Sequence, residues 1–273
     1  MTTFHVRHDF HPTLAREALL LLQNAPVNDE QDFLALARSQ DFEIGRRQSP
    51  AKIFASLRDL GLVYRENRHT PLALTPLGRH LADVAIRDTL LLAELIHLRY
   101  CWLWTPETGG EGFAWAYQTV AGLLWDEAPT SIDTDRLVTT VITGAEDQFA
   151  VKGASFSPSS VLGILHWLRA LSPPCITENK FHRRPSCAPE ALLITLEAIA
   201  TVSGTPFGAA LRLDASTRRR ACRILLIDGE AFDETLGQLE DLGSVMRRAS
   251  DSGEMVVLLE TPLPGIAPQR MFQ

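Results

Sequence analysis

The sequence predicts a mainly α-helical protein in which two winged helix-turn-helix units, each ending in a small β-hairpin wing, flank a helical middle. Three observations predict it. One is an order of punctuation over residues 49–76: cap, apolar stripe, glycine stop, strand, turn, strand, cap. The second is a repeat. Leu57, Asp59, Leu60, Gly61, Val63 and Arg65 recur as Leu239, Asp241, Leu242, Gly243, Val245 and Arg247. The third is that apolar spacing elsewhere is helical, at i, i+3, i+4, rather than alternating.

Taken in order, residues 4–10 (FHVRHDF) alternate and read as a short edge strand or an extended arm. Pro12–Gln23 and Asp29–Ser39 have helical spacing, and the second opens on acidic residues that suit a helix N-terminus. Ser49 is a good N-cap and Pro50 a good first helical residue, because the N–H that proline lacks has no partner there. Ile53, Phe54, Leu57 and Leu60 form the stripe, and Gly61 stops the helix in the left-handed conformation. Leu62–Glu66 and Leu72–Leu74 read as the wing strands, and Thr75-Pro76 repeats the cap-plus-proline signal. The helix that follows runs in two pieces to Trp104, with Asp88 capping the second.

Glu111–Trp125, Ser131–Thr143 and Ser157–Leu171 read as helices, Ser172–Pro189 as an irregular proline-rich stretch, and Ala191–Val202 as a helix. Phe207–Leu211 reads as one more turn and Leu213–Ile227 as a helix containing STRRR. The second copy follows: a helix through Phe232, Leu236 and Leu239, the Gly243 stop, a strand at Val245–Arg248, a turn, and a strand at Met255–Glu260. The expected division is a winged-helix domain with its long following helix (1–105), an acidic helical middle (106–190), and a second winged-helix-like domain (191–273).

Composition bounds the function. The 273 residues are 45% apolar and 22% charged, enough to bury a real core. The apolar run Thr89–Trp104 carries Glu94, His97 and Arg99, which with its short length argues against a membrane span. No signal peptide is read at the N-terminus. Four cysteines suggest no disulfide framework, so the expectation is reduced thiols in a cytoplasm. The net charge of −7 sits entirely in residues 106–150, where Arg136 alone faces eight acidic side chains; the flanking regions are balanced. Such a middle would repel nucleic acid, while either end can carry a basic patch.

No phosphate-cradling glycine loop, G-x-S-x-G or H-E-x-x-H is present, so no catalytic residue is expected. Two stretches carry metal-type ligands. His5, His8 and His11 would share a helix face, but Pro12 disfavours helix at His11, leaving a surface or edge segment. Cys175, His182 and Cys187 lack the usual spacing and a fourth ligand, and read better as a buried thiol or a plain loop. Neither metal nor cofactor is expected.

DNA binding is the sharper expectation, because the helix before a wing enters the major groove and the wing touches the backbone. Arg46, Arg47, Gln48, Ser49, Lys52 and Ser56 would supply the helix contacts, and Arg65 and Arg68, with His69, the wing contacts. The second helix carries Asp228, Glu230, Asp233, Glu234, Glu240 and Asp241, a face that phosphates would repel. A secondary basic patch is expected from Arg183 and Arg184, next to Lys180, and from Arg218, Arg219 and Arg220, next to Arg223.

Several stretches resemble an uncharacterised bacterial family of phage-defence and DNA-sulfur-modification loci. These are H-D-F-H-P, L-T-P-L-G, LLLAELIHLRYCWLW, FSPSSVLGILHWLRAL, APEALLITLEAIA, STRRRACRILLIDGEAF and the last hairpin. The chain departs from that family at His8-Asp9-Phe10-His11, where the family pattern is H-E-T-F. The resemblance implies a cytoplasmic, defence-associated factor with a nucleic-acid role, and it transfers no catalytic residue. The expected function is a non-enzymatic component or regulator of such a system, with double-stranded DNA and other defence proteins as partners. The alternative is a protein–protein adaptor that uses the same units as scaffold.

Overall fold

The computed structural model describes residues 4–7, 10–24, 26–42, 44, 50–67, 70–106, 109–250 and 253–261. The mainly helical class is borne out, with small antiparallel sheets between the helices. The first third runs α1 (Pro12–Asn24), α2 (Glu30–Ser39), α3 (Pro50–Asp59), β1 (Val63–Tyr64), β2 (Ala73–Leu74), α4 (Pro76–Arg87) and α5 (Thr89–Trp102). Its punctuation follows the sequence. Asp29 caps α2, Thr75 caps α4 ahead of Pro76, and Asp88 caps α5 through its carboxylate. Gly61 ends α3 at φ +69°. Val27 bridges Leu72 beside the β1–β2 hairpin.

The middle contains β3 (Trp104–Thr105), β4 (Gly109–Gly110), α6 (Gly112–Asp126), β5 (Thr130–Ser131), α7 (Thr134–Phe149) and α8 (Pro158–Ala170). After these come β6 (Ile176–Thr177) and β7 (Lys180–Phe181), then α9 (Pro189–Val202), β8 (Ala210–Arg212), α10 (Ala215–Leu225), α11 (Gly229–Asp241), β9 (Val245–Ser250) and β10 (Gly253–Leu258). The last sheet has the order β8-β10-β9, all antiparallel.

Two expectations are corrected and one alternative is decided. Residues 172–189 are not wholly irregular: β6 and β7 form a hairpin whose two turn residues, Glu178 and Asn179, both take positive φ. Residues 210–212 are a strand, not a turn, because Leu211 is buried in register with Val256. Of the two readings of residues 4–10, the described residues 4–7 and 10 fit the extended arm, since none of them pairs with a strand. Phe4, Val6 and Phe10 are buried instead: Phe4 lies against Trp115 and Phe149, and Phe10 accepts a hydrogen bond from Trp167 Nε1 at 3.1 Å.

α5 is the axis of the molecule. Every residue from Leu92 to Trp102 is buried, and the helix packs on α4, α6, α8, α9 and α10. A helix apolar on all sides must be enclosed, and one hydrophobic cluster runs from Phe4 to Leu258 around it. The three polar residues that interrupt its apolar run each tether a different neighbour. Glu94 holds the buried Arg184, His97 lies 2.8 Å from the Tyr117 hydroxyl and 2.7 Å from the Ile224 carbonyl, and Arg99 Nε donates to the Leu60 carbonyl at 2.8 Å. The cluster therefore continues across residues 105 and 190 without a break.

Candidate nucleic-acid interface

α3 sits where the first basic patch was expected. Arg46, Arg47, Gln48, Ser49, Arg68 and His69 lie outside the described residues. Lys52 and Arg58 are exposed on the helix. Ser56 is not on that face: it is 3% exposed, and its hydroxyl donates to the Lys52 carbonyl at 3.0 Å, one turn back. Its small side chain belongs to the packed side of the helix, and it drops out as a DNA contact. Arg65 is exposed at the hairpin, and Nη2 donates to the Asn28 carbonyl at 2.7 Å, tying the hairpin to the start of α2. Asp59 is turned toward Arg7, at 3.4 Å.

In the second copy Arg218 and Arg247 are held by local carboxylates, while Arg248 is exposed. Arg218 bridges Asp233 and Glu254 and lies over the Phe232 ring, so it is structural and not a free cation. Arg247 pairs with Glu254 at 2.6 Å and reaches Glu240 at 4.0 Å. Asp228 caps α11 by accepting from Ala231 N at 2.8 Å. The acids that repel phosphate are thus partly spent on local arginines, and both hairpin strands lose net charge.

The remaining arginines separate by burial. Arg184 was expected on the surface and is 0% exposed. Its guanidinium makes a two-pronged pair with Glu94 and donates to the carbonyls of Pro173, at 2.9 Å, Leu225, at 3.1 Å, and Ser172. The residue is a buried clasp joining α5, the 172–184 segment and the end of α10, and it cannot meet a nucleic acid. Its neighbour Arg183 is exposed. It lies 4.4 Å over the Trp125 ring and donates to the Trp125 carbonyl at 3.1 Å.

Arg219, Arg220 and Arg223 project from α10 toward α6 and the end of α5. Arg219 and Arg223 share the Asp126 carboxylate, at 2.7 and 3.2 Å. Arg220 stands 5.7 Å over the Trp102 ring and has no carboxylate partner among the described residues. Arg220 and Arg223 line a cavity of about 270 Å³ with Trp102, Trp104, Gln118 and Gly122. Sequence reading found the arginines but not the cavity, because its aromatic wall comes from the end of α5, more than a hundred residues earlier.

The two candidate metal sets do not gather among the described residues, and the cysteine–histidine contact there, Cys101 Sγ to His97 Nε2 at 3.8 Å, is buried in α5. Cys175 Sγ donates to the Leu168 carbonyl at 3.1 Å, Cys187 Sγ lies 3.9 Å from Thr235 Oγ1, and His182 is exposed. Burial pushes the Cys101, Cys175 and Cys187 thiols up to about 12 and Cys222 to about 11, so all four are protonated at neutral pH. His5 lies 3.2 Å from the Ser160 hydroxyl, His11 packs edge-on to His166, and His8 is outside the described residues. No three such side chains gather among the described residues. No described helix is long and apolar enough to cross a membrane.

No family model and no curated protein matches the chain. Two solved structures are similar to it in fold. A magnesium ion-bound SspB crystal structure matches with a TM-score of 0.62 at 13% identity, over 95% of this chain and 84% of that one. An SspB crystal structure matches with a TM-score of 0.61 at the same identity and coverage. At that identity the likeness is one of fold: nearly the whole chain follows the backbone course of SspB.

Proposed function

We propose that the chain is a non-enzymatic DNA-binding protein built from two winged-helix units around a helical middle. It would serve as a component or regulator of a bacterial phage-defence or DNA-modification system. The observation that carries the reading is the element order, which occurs twice. α1, the Val27 bridge, α2, α3 and the β1–β2 hairpin form one series; α9, β8, α10, α11 and the β9–β10 hairpin form the other. Helix, strand, two helices and a two-stranded wing is the winged-helix order, in which the helix before the wing enters the groove. In the first series that helix exposes Lys52 and Arg58, and in sequence it follows Arg46, Arg47, Gln48 and Ser49. Arg65 and Arg68 would grip the backbone from the wing. α11, with its acidic face, would not read DNA.

Fluorescence anisotropy of the full chain with duplex DNA over a salt series tests the proposal. Binding that weakens with salt and drops in the Arg46/Arg47/Lys52→Ala variant supports it. Absence of binding at low salt sinks it.

One observation favours the adaptor reading for the second unit. Leu242, Met246 and Leu259 are exposed around the base of its hairpin, beside Arg247, which Glu254 pairs. A stoichiometric complex from the native host, together with no DNA binding, would favour that reading over the first.

A further inference from the structure

The cavity between α5, α6 and α10 carries chemistry that the winged-helix reading does not use. Its polar wall holds the guanidinium groups of Arg220 and Arg223 and the Gln118 amide, and its flat wall holds Trp102 and Trp104. A second cavity of about 300 Å³ adjoins it and shares Trp104, Gln118 and Arg223. The two hollows adjoin over α6, with Trp104, Gln118 and Arg223 lining both, and together they can take a strand as one groove. Arginine forks match phosphate oxygens, and indole faces match any base.

The groove is built by specific packing. Gly122 is the floor beneath Arg223: a Cβ there would lie 2.1 Å from Nη2 and 2.3 Å from Cζ. Only glycine lets that guanidinium lie flat on α6. Asp126 at the far end binds Arg219 and Arg223 and fixes their direction. It would repel a phosphate, but Arg183, Arg219, Arg220 and Arg223 outnumber it locally. Arg220, held over Trp102 without a carboxylate partner among the described residues, is the group most available to an incoming anion. Trp104 Nε1 also has no hydrogen-bond partner among the described residues, although the atom is buried.

We propose that this groove binds a short stretch of single-stranded nucleic acid. Phosphates would lie on Arg220 and Arg223, and successive bases against Trp104 in the two hollows. Paired hollows about one shared tryptophan fit a strand better than an isolated nucleotide, which would need one hollow only. The site is separate from α3 and stands whether or not the first unit binds duplex.

The test uses the full chain and a labelled short oligothymidine, read by anisotropy and by quenching of tryptophan fluorescence. The same measurement is made with thymidine monophosphate and with a duplex. Expected are salt-sensitive oligothymidine binding with tryptophan quenching, and a loss of about tenfold or more in affinity for Arg220→Ala. Gly122→Ala is expected to weaken binding as well, because it displaces Arg223 without removing a charge. An unchanged circular dichroism spectrum and melting temperature shows that each variant folds. Oligothymidine that fails to bind at low salt overturns the proposal, as does affinity unchanged in both folded variants. Thymidine monophosphate binding as tightly as the strand also overturns it. Loss of duplex binding in the Lys52→Ala variant with oligothymidine binding intact separates this site from the first.

Discussion

Arg184 shows at the residue scale how a charge can look like a binding group in sequence and act as a clasp in the fold. Its partner Glu94 stands 90 residues away. That distance is why the sequence reading placed it in a surface patch. Removing it would leave Glu94 charged and buried, with three carbonyls short of a donor. Arg184→Ala is therefore expected to cost about 3–5 kcal/mol, measured by urea unfolding. The double change Glu94→Leu with Arg184→Met should recover only part of this, since the carbonyls of Ser172, Pro173 and Leu225 stay unpaired.

His97 makes a second prediction at this scale. Nε2 faces a carbonyl, which only accepts, so Nε2 carries the proton and Nδ1 accepts from the Tyr117 hydroxyl. Burial holds its pKa down to about 4, below the ordinary 6.5. The unfolded chain therefore takes up a proton before the folded one does. The stability that neutral His97 confers is complete above pH 6.5 and is lost as pH falls toward 4, by up to about 3 kcal/mol. A melting-temperature profile over that window should be flatter in a His97→Gln variant.

At the scale of elements, the local signals were legible and the distant ones were not. Caps at Asp29, Thr75 and Asp88, and the glycine stops, are written within four residues of the place they act. β8 escaped because its partner is β10, more than forty residues downstream, and β6–β7 because only Asn179 marks its turn. The repeated glycine separates shared fold from private role. Gly61 and Gly243 both take the left-handed conformation, at φ +69° and +77°. A Cβ on Gly61 would meet Arg99 Nη2 at 2.9 Å, whereas nothing lies within 4 Å of one on Gly243. Each alanine substitution should cost about 1–2 kcal/mol in backbone strain. Gly61→Ala should cost about 1 kcal/mol more, because Arg99 is buried and cannot move aside freely. Thermal denaturation of the two variants checks the difference.

Over the whole molecule, the helical class and both hairpin series were visible in composition and punctuation, while the way they share a core was not. α5 closes the first third in sequence but is covered by α6, α8, α9 and α10. A fragment of residues 1–105 would leave Ile96, Leu98, Tyr100 and Trp102 without their cover, so it is expected to show no cooperative thermal transition by calorimetry, unlike the intact chain. The cations proposed to meet DNA are a local sequence signal, because RRQS stands directly before Pro50 of α3. The arginine–tryptophan groove is not one, because α5, α6 and α10 meet only in the folded chain. Charge is divided just as unevenly: in the second unit Arg218 and Arg247 are held by carboxylates of that unit, and the first exposes Lys52 and Arg58.

The central claim is that this first unit holds duplex DNA through cations around α3. The direct measurement is the slope of log affinity against log salt for the intact chain and for Arg46/Arg47/Lys52→Ala. If the three side chains each neutralise a phosphate, the variant binds more weakly and its slope is shallower by about two to three. A wild-type chain with no affinity for duplex at low salt, or a variant with the same slope and affinity, would contradict the account.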